Sequence, residues 1–384
     1  MRGAWSVARI RAAETALIER VGADTLMERA AYGLSVGSAG LLDRTYGARV
    51  VLLVGAGNNG GDALYAGVHL LRRGAAVHAV LLAPDRVHVR AAIAFAAAGG
   101  GVGTAETAAA PLAGADLVLD GIVGIGGSGA LRSPADDLVA AVGCPILAVD
   151  LPSGVDADTG DVPGAAVRAA ATVTFGGAKL GLVVGPGVAH RGALSEVDIG
   201  LGPFLGAPQV QLLDDSDVAA LLPRPEPASD KYGSGVVGVV AGSPTYGGAA
   251  VLSVGGALHG KAGMVRYAGR AADAVRARWP EAVVTDGSPT RAGRVQAWVV
   301  GPGLGTDEPA RRQLREVLET DVAVLVDADG LTLLGEHPEW VRGRRAPTLL
   351  TPHDREFERV AGPLGTDRVA AVRRAAAELG VTVL

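Results

Sequence analysis

The feature that most constrains the fold of this chain is the alternation of short, continuous apolar runs with alanine-rich segments of helical character. In the first half, the expected strands are Val50–Val54, Ala76–Leu82, Leu117–Leu119, Ile146–Val149 and Ala171–Phe175. Helices are expected between them, for example over 62–73 and 134–142. Continuous apolar strands separated by helices are typical of a parallel sheet that is buried on both faces. We therefore predict an α/β fold with a doubly wound sheet and helices on both faces.

The same alternation returns in the second half, after a stretch rich in proline and glycine. The expected strands there are Gly235–Val240, Val295–Val300, Val322–Val326 and Thr348–Leu350, and the expected helices are Ala249–Gly260, Glu308–Leu318 and Asp367–Leu379. We predict a first domain over 1–205, a linker over 206–229 and a second α/β domain over 230–384. The last apolar residues, 381–384, form a terminal strand in this interpretation, so we expect the sequence to be a fragment of a longer chain.

Composition excludes several classes of protein. The net charge of −5 gives no electrostatic basis for binding nucleic acid. The single cysteine, Cys144, excludes an internal disulfide and a cysteine-based zinc site. The first 21 residues carry several charges and read as an amphipathic helix, not as a signal peptide. Because no apolar run reaches about 18 residues, no membrane span is predicted. We expect a cytoplasmic protein that assembles into a homo-oligomer.

A glycine-rich motif, Gly55–Asp62, follows the strand Val50–Val54 and opens a helix. Glycines at this junction expose backbone N–H groups, and the helix N-terminus adds partial positive charge, so the motif can bind phosphate. Its spacing fits Gly-x-Gly-x-x-Gly, but the spacing alone is equally consistent with a tight turn that binds nothing. The neighbouring Asn58 and Asn59 offer donors and acceptors without a packing role, which favours a site. Asp62 could cap the helix or orient a ligand hydroxyl.

Two aspartates follow later strands of the same predicted sheet. Asp120 ends the strand at 117–119, and Asp150 ends the strand at 146–149. Ligands of open α/β sheets bind at the carboxyl ends of the strands, where Asn59 and Ser153 are also expected. Each aspartate alone is more simply a helix cap or a turn former, but the two together beside a phosphate loop favour a site. These oxygen ligands suit a cation such as K⁺ or Mg²⁺ better than zinc.

At this point the sequence resembles the epimerase domain of the NAD(P)H-hydrate repair family. The similar stretches are GAGNNGGDAL at 55–64, DGIVGIGGSG at 120–129, DLPSGVDADTG at 150–160, TVTFGGAKLGLVVGPG at 172–187 and VDIGLG at 197–202. Ala13, Glu14 and residues 27–30 of the first helix also fit. The resemblance covers residues 6–202 and implies a Rossmann-like domain that interconverts the R and S forms of hydrated NADH and NADPH.

The resemblance also implies which residues bind. Those in contact with the hydrated nucleotide would be Asn58, Asn59, Gly60, Gly61, Asp62, Gly124, Ile125, Gly126, Gly127, Ser128, Gly129, Ala130 and Asp150. Asn59, Asp120 and Ser153 would bind a potassium ion. Ile125 replaces a threonine that is common in the family, so one hydroxyl contact is lost while the backbone contacts are retained. Lys179 matches a family lysine whose role the sequence leaves open.

The second half resembles the ADP- or ATP-dependent NAD(P)H-hydrate dehydratase domain, which has a ribokinase-like α/β fold. The resemblance rests on the loops AGSPTYGGAA at 241–250, GPGLG at 301–305, DADG at 327–330 and TPHDRE at 351–356. It implies that Gly303 or Gly305, His353 and the 327–329 region line the substrate site, and that ADP or ATP acts with Mg²⁺. Taken alone, His353 is more simply a hydrogen-bonded loop residue. Residues 354–355 depart from the family's commoner Pro-Gly.

The family has a Gly-Ser-Gly-Asp loop that supplies the general base, and this loop is absent from the sequence. Because this chemistry needs a base within hydrogen-bond reach, we expect the truncated second domain to be inactive in this chain. Asp150 is the candidate acid/base of the epimerase, acting through reversible loss of the hydroxyl or through ring opening. Two alternatives remain open, namely a small-molecule kinase of ribokinase-like fold and a non-catalytic nucleotide- or protein-binding module.

Overall fold

The computed structural model describes residues 1–222, 233 and 235–384, so residues 223–229 of the predicted linker lie outside the described residues. The chain divides into two units, Met1–Leu221 and Leu222–Leu384. The strands of the first unit are β1 (Arg2–Trp5), β2 (Arg49–Val54), β3 (Ala76–Leu81), β4 (Gly101–Thr104), β5 (Leu117–Gly121), β6 (Ile146–Val149), β7 (Ala171–Phe175), β8 (Ala178–Lys179), β9 (Ala193–Val197) and β10 (Val210–Leu212). Its helices are α1 (Val7–Val21), α2 (Ala23–Gly40), α3 (Asn58–Arg72), α4 (Val89–Ala97), α5 (Ala109–Ala113), α6 (Ala135–Ala140), α7 (Gly202–Leu205) and α8 (Asp215–Leu221).

A seven-stranded sheet forms the centre of the first unit, in the order β4-β3-β2-β5-β6-β7-β9. All its neighbouring strands run parallel. The strand order reverses between β2 and β5, which creates a crevice at the carboxyl ends of these two strands. A smaller sheet, β10-β1-β8, lies apart from it.

Side chains of successive residues on β2 point to opposite faces of the sheet, and each face is covered. On one face, Leu52 and Leu119 pack in a buried cluster with residues of α1, α2, α3 and α4, including Phe95. On the other face, Leu53 and Val118 pack with residues of α5 and α6. Burial of both faces explains why the central strands β2, β5 and β6 are almost entirely apolar.

The second unit is also built on a parallel sheet. Its strands are β11 (Val236–Val240), β12 (Met264–Gly269), β13 (Val283–Asp286), β14 (Ala297–Val300), β15 (Ala323–Val326), β16 (Thr348–Leu350) and β17 (Thr382–Val383). Its helices are α9 (Gly247–His259), α10 (Ala272–Arg278), α11 (Glu308–Leu318), α12 (Asp329–Glu336), α13 (Asp354–Ala361) and α14 (Arg368–Leu379). The sheet order is β13-β12-β11-β14-β15-β16-β17, and every neighbouring pair is parallel.

Helices cover both faces of the second sheet as well. Val239 and Tyr267 pack with residues of α9 and α10. Val240 and Val300 pack with residues of α11 and α12. The prediction of a doubly wound α/β fold with helices on both faces is therefore confirmed in both units.

Two local expectations were wrong. Residues 2–5 do not continue the amphipathic N-terminal helix but form β1, which pairs with β10 in antiparallel orientation and with β8 in parallel orientation. Residues 210–221, which were expected in a linker, form β10 and α8, and both elements belong to the first unit. Both differences come from pairing across about two hundred residues of sequence, which local propensity does not report.

Candidate active site

A cavity of about 700 Å³ lies at the carboxyl ends of β2 and β5, where the strand order of the first sheet reverses. The glycine loop after β2, the loop after β5 and Asp150 after β6 contribute to its wall. Its lining includes Gly57, Asn58, Asn59, Asp62, Gly124, Ile125, Gly126, Gly127 and Asp150. Most of the site residues predicted from the sequence therefore meet in one crevice, as expected for a doubly wound sheet.

The glycines of the first motif allow close packing of backbones beneath this cavity. A Cβ on Gly55 would lie 1.8 Å from the carbonyl oxygen of Ile122, and one on Gly60 would lie 2.5 Å from the carbonyl oxygen of Gly55. Gly60 and Gly61 are buried and are not part of the cavity wall, so the structure shows their packing contacts, and their predicted contact with the nucleotide stays a prediction. Helix α3 begins at Asn58 on the cavity wall, where free N–H groups of the first turn suit an anion.

Asp150 is held in an unusual backbone conformation at the end of β6. Its φ is +67°, in the left-handed region that a non-glycine residue rarely adopts, and the residue is 7% exposed. Its Oδ1 accepts hydrogen bonds from the Thr174 hydroxyl and from the Phe175 backbone N–H, both at 3.1 Å, and from the Lys179 ammonium. Three donors thus occupy one carboxylate oxygen. They fix the carboxylate on the cavity wall and leave Oδ2 for a ligand.

Lys179, whose role the sequence left open, is the buried counter-ion of Asp150. The lysine is 1% exposed. Its ammonium group donates to Asp150 Oδ1, to the Thr174 hydroxyl at 3.0 Å and to the Phe175 carbonyl at 3.1 Å. All three N–H bonds are used, so the desolvated charge is fully compensated. Lys179 is not part of the cavity wall, which makes it a positioning residue for Asp150.

Two further carboxyl groups, Glu14 of α1 and Asp62 of α3, line the cavity with Asp150. Burial raises the pKa of Asp62 well above its ordinary value, and the charges of Asp150 and Glu14 raise it further, while Lys179 opposes this. Burial and Asp150 likewise raise the pKa of Glu14, against the lowering effect of Lys179 and Arg11. The cavity therefore holds two carboxyl groups whose pKa values are raised, beside an aspartate that is paired with a lysine.

Asp120 lies beneath the cavity and is fully buried. It accepts hydrogen bonds from the Ser153 backbone N–H at 2.8 Å and from the Ser153 hydroxyl at 2.6 Å. Burial raises the pKa of Asp120 to about 6, although the hydrogen bonds from Ser153 lower it. No basic side chain of the described residues pairs with Asp120. The side chain of Asn59 packs against Gly124, and its amide nitrogen has no hydrogen-bond partner among the described residues.

The oxygen atoms of these residues suit a hard cation such as K⁺ or Mg²⁺ better than a transition metal. The set offers the Asp120 carboxylate, the Ser153 hydroxyl, the Val123 carbonyl and the Asn59 amide oxygen, all of them hard oxygen ligands. The Ser153 hydroxyl lies 3.2 Å from the Val123 carbonyl oxygen. Within the described residues, no three His, Cys, Asp or Glu side chains come together in a group that could hold a metal ion.

The loop after β5 divides between two cavities. Residues 124–127 line the main cavity, and residues 127–130 line a neighbouring cavity of about 240 Å³ together with Arg132. Ser128, Gly129 and Ala130, which were also predicted to contact the nucleotide, therefore lie in this second space. The two spaces adjoin along this loop, since both walls include Ile122, Val123, Gly124, Gly127, Arg132 and Ala135.

Sequence reasoning did not identify several residues of the main cavity. Phe175 and three arginines, Arg11, Arg86 and Arg132, line it. They come from four separate segments of the chain, so no local motif marks them. The only available signal was positional, since Arg86 and Arg132 follow β3 and β5 closely, at the edge of the sheet where ligands bind.

The second unit has a cavity of about 460 Å³ at the carboxyl ends of β11, β12 and β13, and Ser243, Arg270, Asp273 and Asp286 are part of its wall. The predicted residues Gly303, Gly305 and His353 do not line it. The backbone N–H of Gly305 donates to Asp329 at 2.8 Å, which joins the two loops after β14 and β15. The region 327–329 includes Ala328 with φ +51°, a strained value for a non-glycine residue.

His353 has a structural role in this unit. It caps α13, because its ring accepts a hydrogen bond from the Arg355 backbone N–H at 3.2 Å. Its own backbone N–H donates to the Glu356 carboxylate at 3.0 Å, which completes a reciprocal capping box. The side chain is 62% exposed. The interpretation of His353 as a hydrogen-bonded loop residue thus describes its contacts in this structure.

Comparison with known proteins places both units. Two parallel sheets with ligand cavities at their carboxyl edges define a doubly wound α/β protein. The family model for the YjeF-related protein N-terminus matches residues 23–181, and the family model for NAD(P)H-hydrate dehydratase matches residues 237–384. The bifunctional NAD(P)H-hydrate repair enzyme Nnr of Mycobacterium tuberculosis is 52% identical over all of this chain, which covers 80% of that relative. The chain belongs to the family of bifunctional NAD(P)H-hydrate repair enzymes.

Further matches agree with this family. The enzyme of the same name from Mycobacterium leprae is 53% identical, with coverage of 100% of this chain and 80% of the relative. A solved ADP/ATP-dependent NAD(P)H-hydrate dehydratase from Bacillus subtilis, co-crystallized with ATP and Mg²⁺, is 25% identical and covers 44% of this chain and 63% of that one, with a TM-score of 0.37. Because this TM-score is low, membership rests on the sequence relatives.

The comparisons do not support the expectation that the second unit is inactive. The dehydratase model matches residues 237–384, which is nearly the whole second unit. The chain has an epimerase-type and a dehydratase-type domain. In the part of the chain that the structure describes, no helix is both long and apolar enough to cross a membrane.

Proposed function

We propose that the first unit interconverts the R and S forms of hydrated NADH and NADPH, and that Asp150 is its catalytic acid/base. One observation carries this proposal. Asp150 stands on the cavity wall with one oxygen saturated by three donors and the other available, next to a glycine loop suited to a diphosphate. A fixed carboxylate beside a bound ring is the arrangement that proton transfer requires.

The carboxyl groups of the cavity would have two roles, proton donor and proton acceptor. Asp62 and Glu14, whose pKa values are raised by burial, are the better proton donors of the cavity, whereas Asp150 is held in place beside Lys179. Asp62, or Glu14, would donate its proton to the C6 hydroxyl of the reduced ring, and that hydroxyl would leave as water. Asp150 would stabilise the resulting ring cation and accept the proton of the water that adds to the opposite face. One proton is given and one is taken, so the hydrate is regenerated with inverted configuration, and return of the proton from Asp150 to the donor carboxylate through solvent would restore the enzyme. Ring opening remains the alternative route.

A potassium ion is the proposed structural cation of this site. Asn59, Asp120 and Ser153 would hold it, together with the Val123 carbonyl. When bound, it would supply positive charge that compensates the buried Asp120 carboxylate, which has no basic partner among the described residues. In solution, we expect exchange of K⁺ for a bulky organic cation to lower epimerase activity and the melting temperature together.

For the second unit we propose dehydration of the S hydrate back to NAD(P)H with ADP or ATP, in the presence of Mg²⁺. The match of the dehydratase family model supports this assignment. Phosphorylation of the ring hydroxyl and elimination of phosphate would restore the reduced ring. Recovery of absorbance at 340 nm from the S hydrate, with ADP or ATP present, would show that this chain performs the step. A stable phosphoester product would instead indicate a small-molecule kinase.

The epimerase proposal is tested with the full chain and pure R hydrate, with the S hydrate resolved by chromatography. Asp150→Asn is nearly isosteric and is expected to lower turnover by about 10² to 10⁴, the usual contribution of a general acid or base. Asp43→Asn makes the same chemical change at an exposed aspartate that does not line the cavity, and it serves as the matched control. Full turnover by Asp150→Asn with normal ligand binding would remove Asp150 from the mechanism.

A further inference from the structure

The main cavity extends beyond β2 to the end of β3. Leu82, Ala83 and Arg86, which follow β3 directly, are part of its wall. Arg86 is exposed, and its guanidinium group has no hydrogen-bond or ion-pair partner among the described residues. The charge is therefore free to bind an anionic group of a ligand that reaches this end of the cavity.

Doubly wound sheets discriminate between dinucleotides at this strand end. An acidic residue about 20 positions after the glycine loop binds the ribose 2′-hydroxyl of NAD, whereas a nearby arginine accommodates the 2′-phosphate of NADP. Here the strand end is apolar, because Leu81 is followed by Leu82 and Ala83. The nearest carboxylate in sequence, Asp85, is exposed and does not line the cavity. The charged side chain that lines the main cavity at the end of β3 is that of Arg86.

The proposed position of the reacting ring fixes the position of the other end of the dinucleotide. Asp150 follows β6, and β6 and β3 lie three strand spacings apart in the sheet, which is roughly 14 Å at about 4.8 Å per spacing. The glycine loop lies between them, at the reversal of strand order between β2 and β5. With the ring at Asp150 and the diphosphate at the glycine loop, the adenosine ribose reaches the end of β3.

The other two arginines of the cavity have different surroundings. Arg11 donates a hydrogen bond to the Ile125 carbonyl at 3.3 Å and belongs to α1. Arg132 follows β5 and joins the main cavity to the neighbouring one, on the side of the glycine loop opposite to β3. Arg132 is therefore placed for the diphosphate, and Arg86 is the arginine at the ribose end.

We propose that Arg86 binds the 2′-phosphate of the substrate and that the first unit is selective for hydrated NADPH over hydrated NADH. This inference rests on the proposed epimerase function and adds the substrate class to it. A guanidinium group that meets a phosphate in a partly enclosed cavity forms two charge-assisted hydrogen bonds. Hydrated NADH has only a hydroxyl at this position and gains no such contact.

The test measures kcat/KM of the full chain for epimerisation of R NADPH hydrate and R NADH hydrate, separately. We expect the ratio of the two values to be about 10 or more in the wild type and to fall to near 1 in Arg86→Ala. Arg86→Lys should restore part of the ratio, because lysine keeps the charge but not the bidentate geometry. Arg132→Ala should lower both values together and leave the ratio high.

The possible results distinguish failure of the proposed function from failure of the role assigned to Arg86. A wild-type chain that epimerises neither hydrate would refute the proposed function. A chain that epimerises both with equal kcat/KM, or an Arg86→Ala variant that keeps the wild-type ratio, would refute only the assignment of Arg86. Arg90→Ala is the matched control, since Arg90 is an exposed arginine of α4 that pairs with Asp24 and does not line the cavity.

Discussion

The two units of the chain have the same sheet topology and bury charge very differently. In both sheets the parallel strands follow one order, with the first strand at the centre and the reversal beside it. The first unit buries Asp120, Asp150 and Lys179, whereas Glu356 is the sole acidic or basic side chain, counting Asp, Glu, Lys, Arg and His, that is buried in the described part of the second unit. Topology thus provides the crevice, and the loops that follow the strands decide what chemistry the crevice holds.

The units agree, however, in how glycine closes their loops. A Cβ on Gly55 would lie 1.8 Å from the Ile122 carbonyl oxygen, and one on Gly301 would lie 1.9 Å from the Asp327 carbonyl oxygen. Each glycine follows a central strand and packs against the loop of the adjacent one. Close backbone approach is therefore common to both units, whereas the structure describes a buried ion pair in the first unit and none among the described residues of the second.

The largest expected effect comes from breaking that ion pair. Lys179→Met leaves the buried Asp150 carboxylate without its counter-ion and should lower the free energy of unfolding of the first unit by about 3–5 kcal/mol. Arg311→Met in the second unit breaks a partly exposed pair with Glu336 and should cost less than about 1 kcal/mol. Urea unfolding followed by hydrogen exchange of peptides from each unit measures both changes. Equal losses would remove the contrast between the units.

A second experiment examines the close backbone approach that the two units share. Gly55→Ala and Gly301→Ala should each lower the free energy of unfolding by about 3 kcal/mol, because the methyl group collides with a backbone carbonyl that cannot rotate away. At Gly301 the φ of +125° adds backbone strain. The same unfolding measurement applies. If only one of the two variants lost stability, the close approach would not be common to both units.

A smaller effect follows from the raised pKa of Asp62. The folded state keeps the Asp62 proton at pH values where the unfolded state has lost it, so this carboxyl group lowers stability as pH rises from about 4, the ordinary aspartate value, through the raised pKa. Asp62→Asn should raise the melting temperature of the first unit by a few degrees at pH 8 and by less at pH 4.5, while epimerase turnover falls. An equal gain at both pH values would contradict the raised pKa.

The smallest expected effect lies on α9 of the second unit. Gly256 is exposed, and nothing lies within 4 Å of an added Cβ. Gly256→Ala should raise the free energy of unfolding by about 0.5–1 kcal/mol, because alanine has the better helix propensity. This variant is also the control for the two glycine substitutions above. A loss of stability would mean that glycine is required at this exposed position as well.

The sequence by itself determined the alternation of strands and helices and the edge at which the site lies, although β4, β9, β12 and β13 were not predicted. Continuous apolar runs predicted most strands of both sheets to within two residues, because burial on both faces favours apolar residues at successive positions. The same pattern placed Asp120 and Asp150 at the carboxyl ends of β5 and β6, and it placed the Asn58–Asn59 turn at the start of α3.

Only the tertiary structure decided which side chains face each other across that edge. Lys179 contacts Asp150 although the two are 29 residues apart in sequence. Glu14, from α1 near the N-terminus, lines the main cavity with Asp150. Arg86 became a candidate for the 2′-phosphate only when its loop was seen to line the cavity. The physical reason is that such pairs depend on the packing of separate helices and loops against the sheet, whereas local sequence reports the period and the ends of each element.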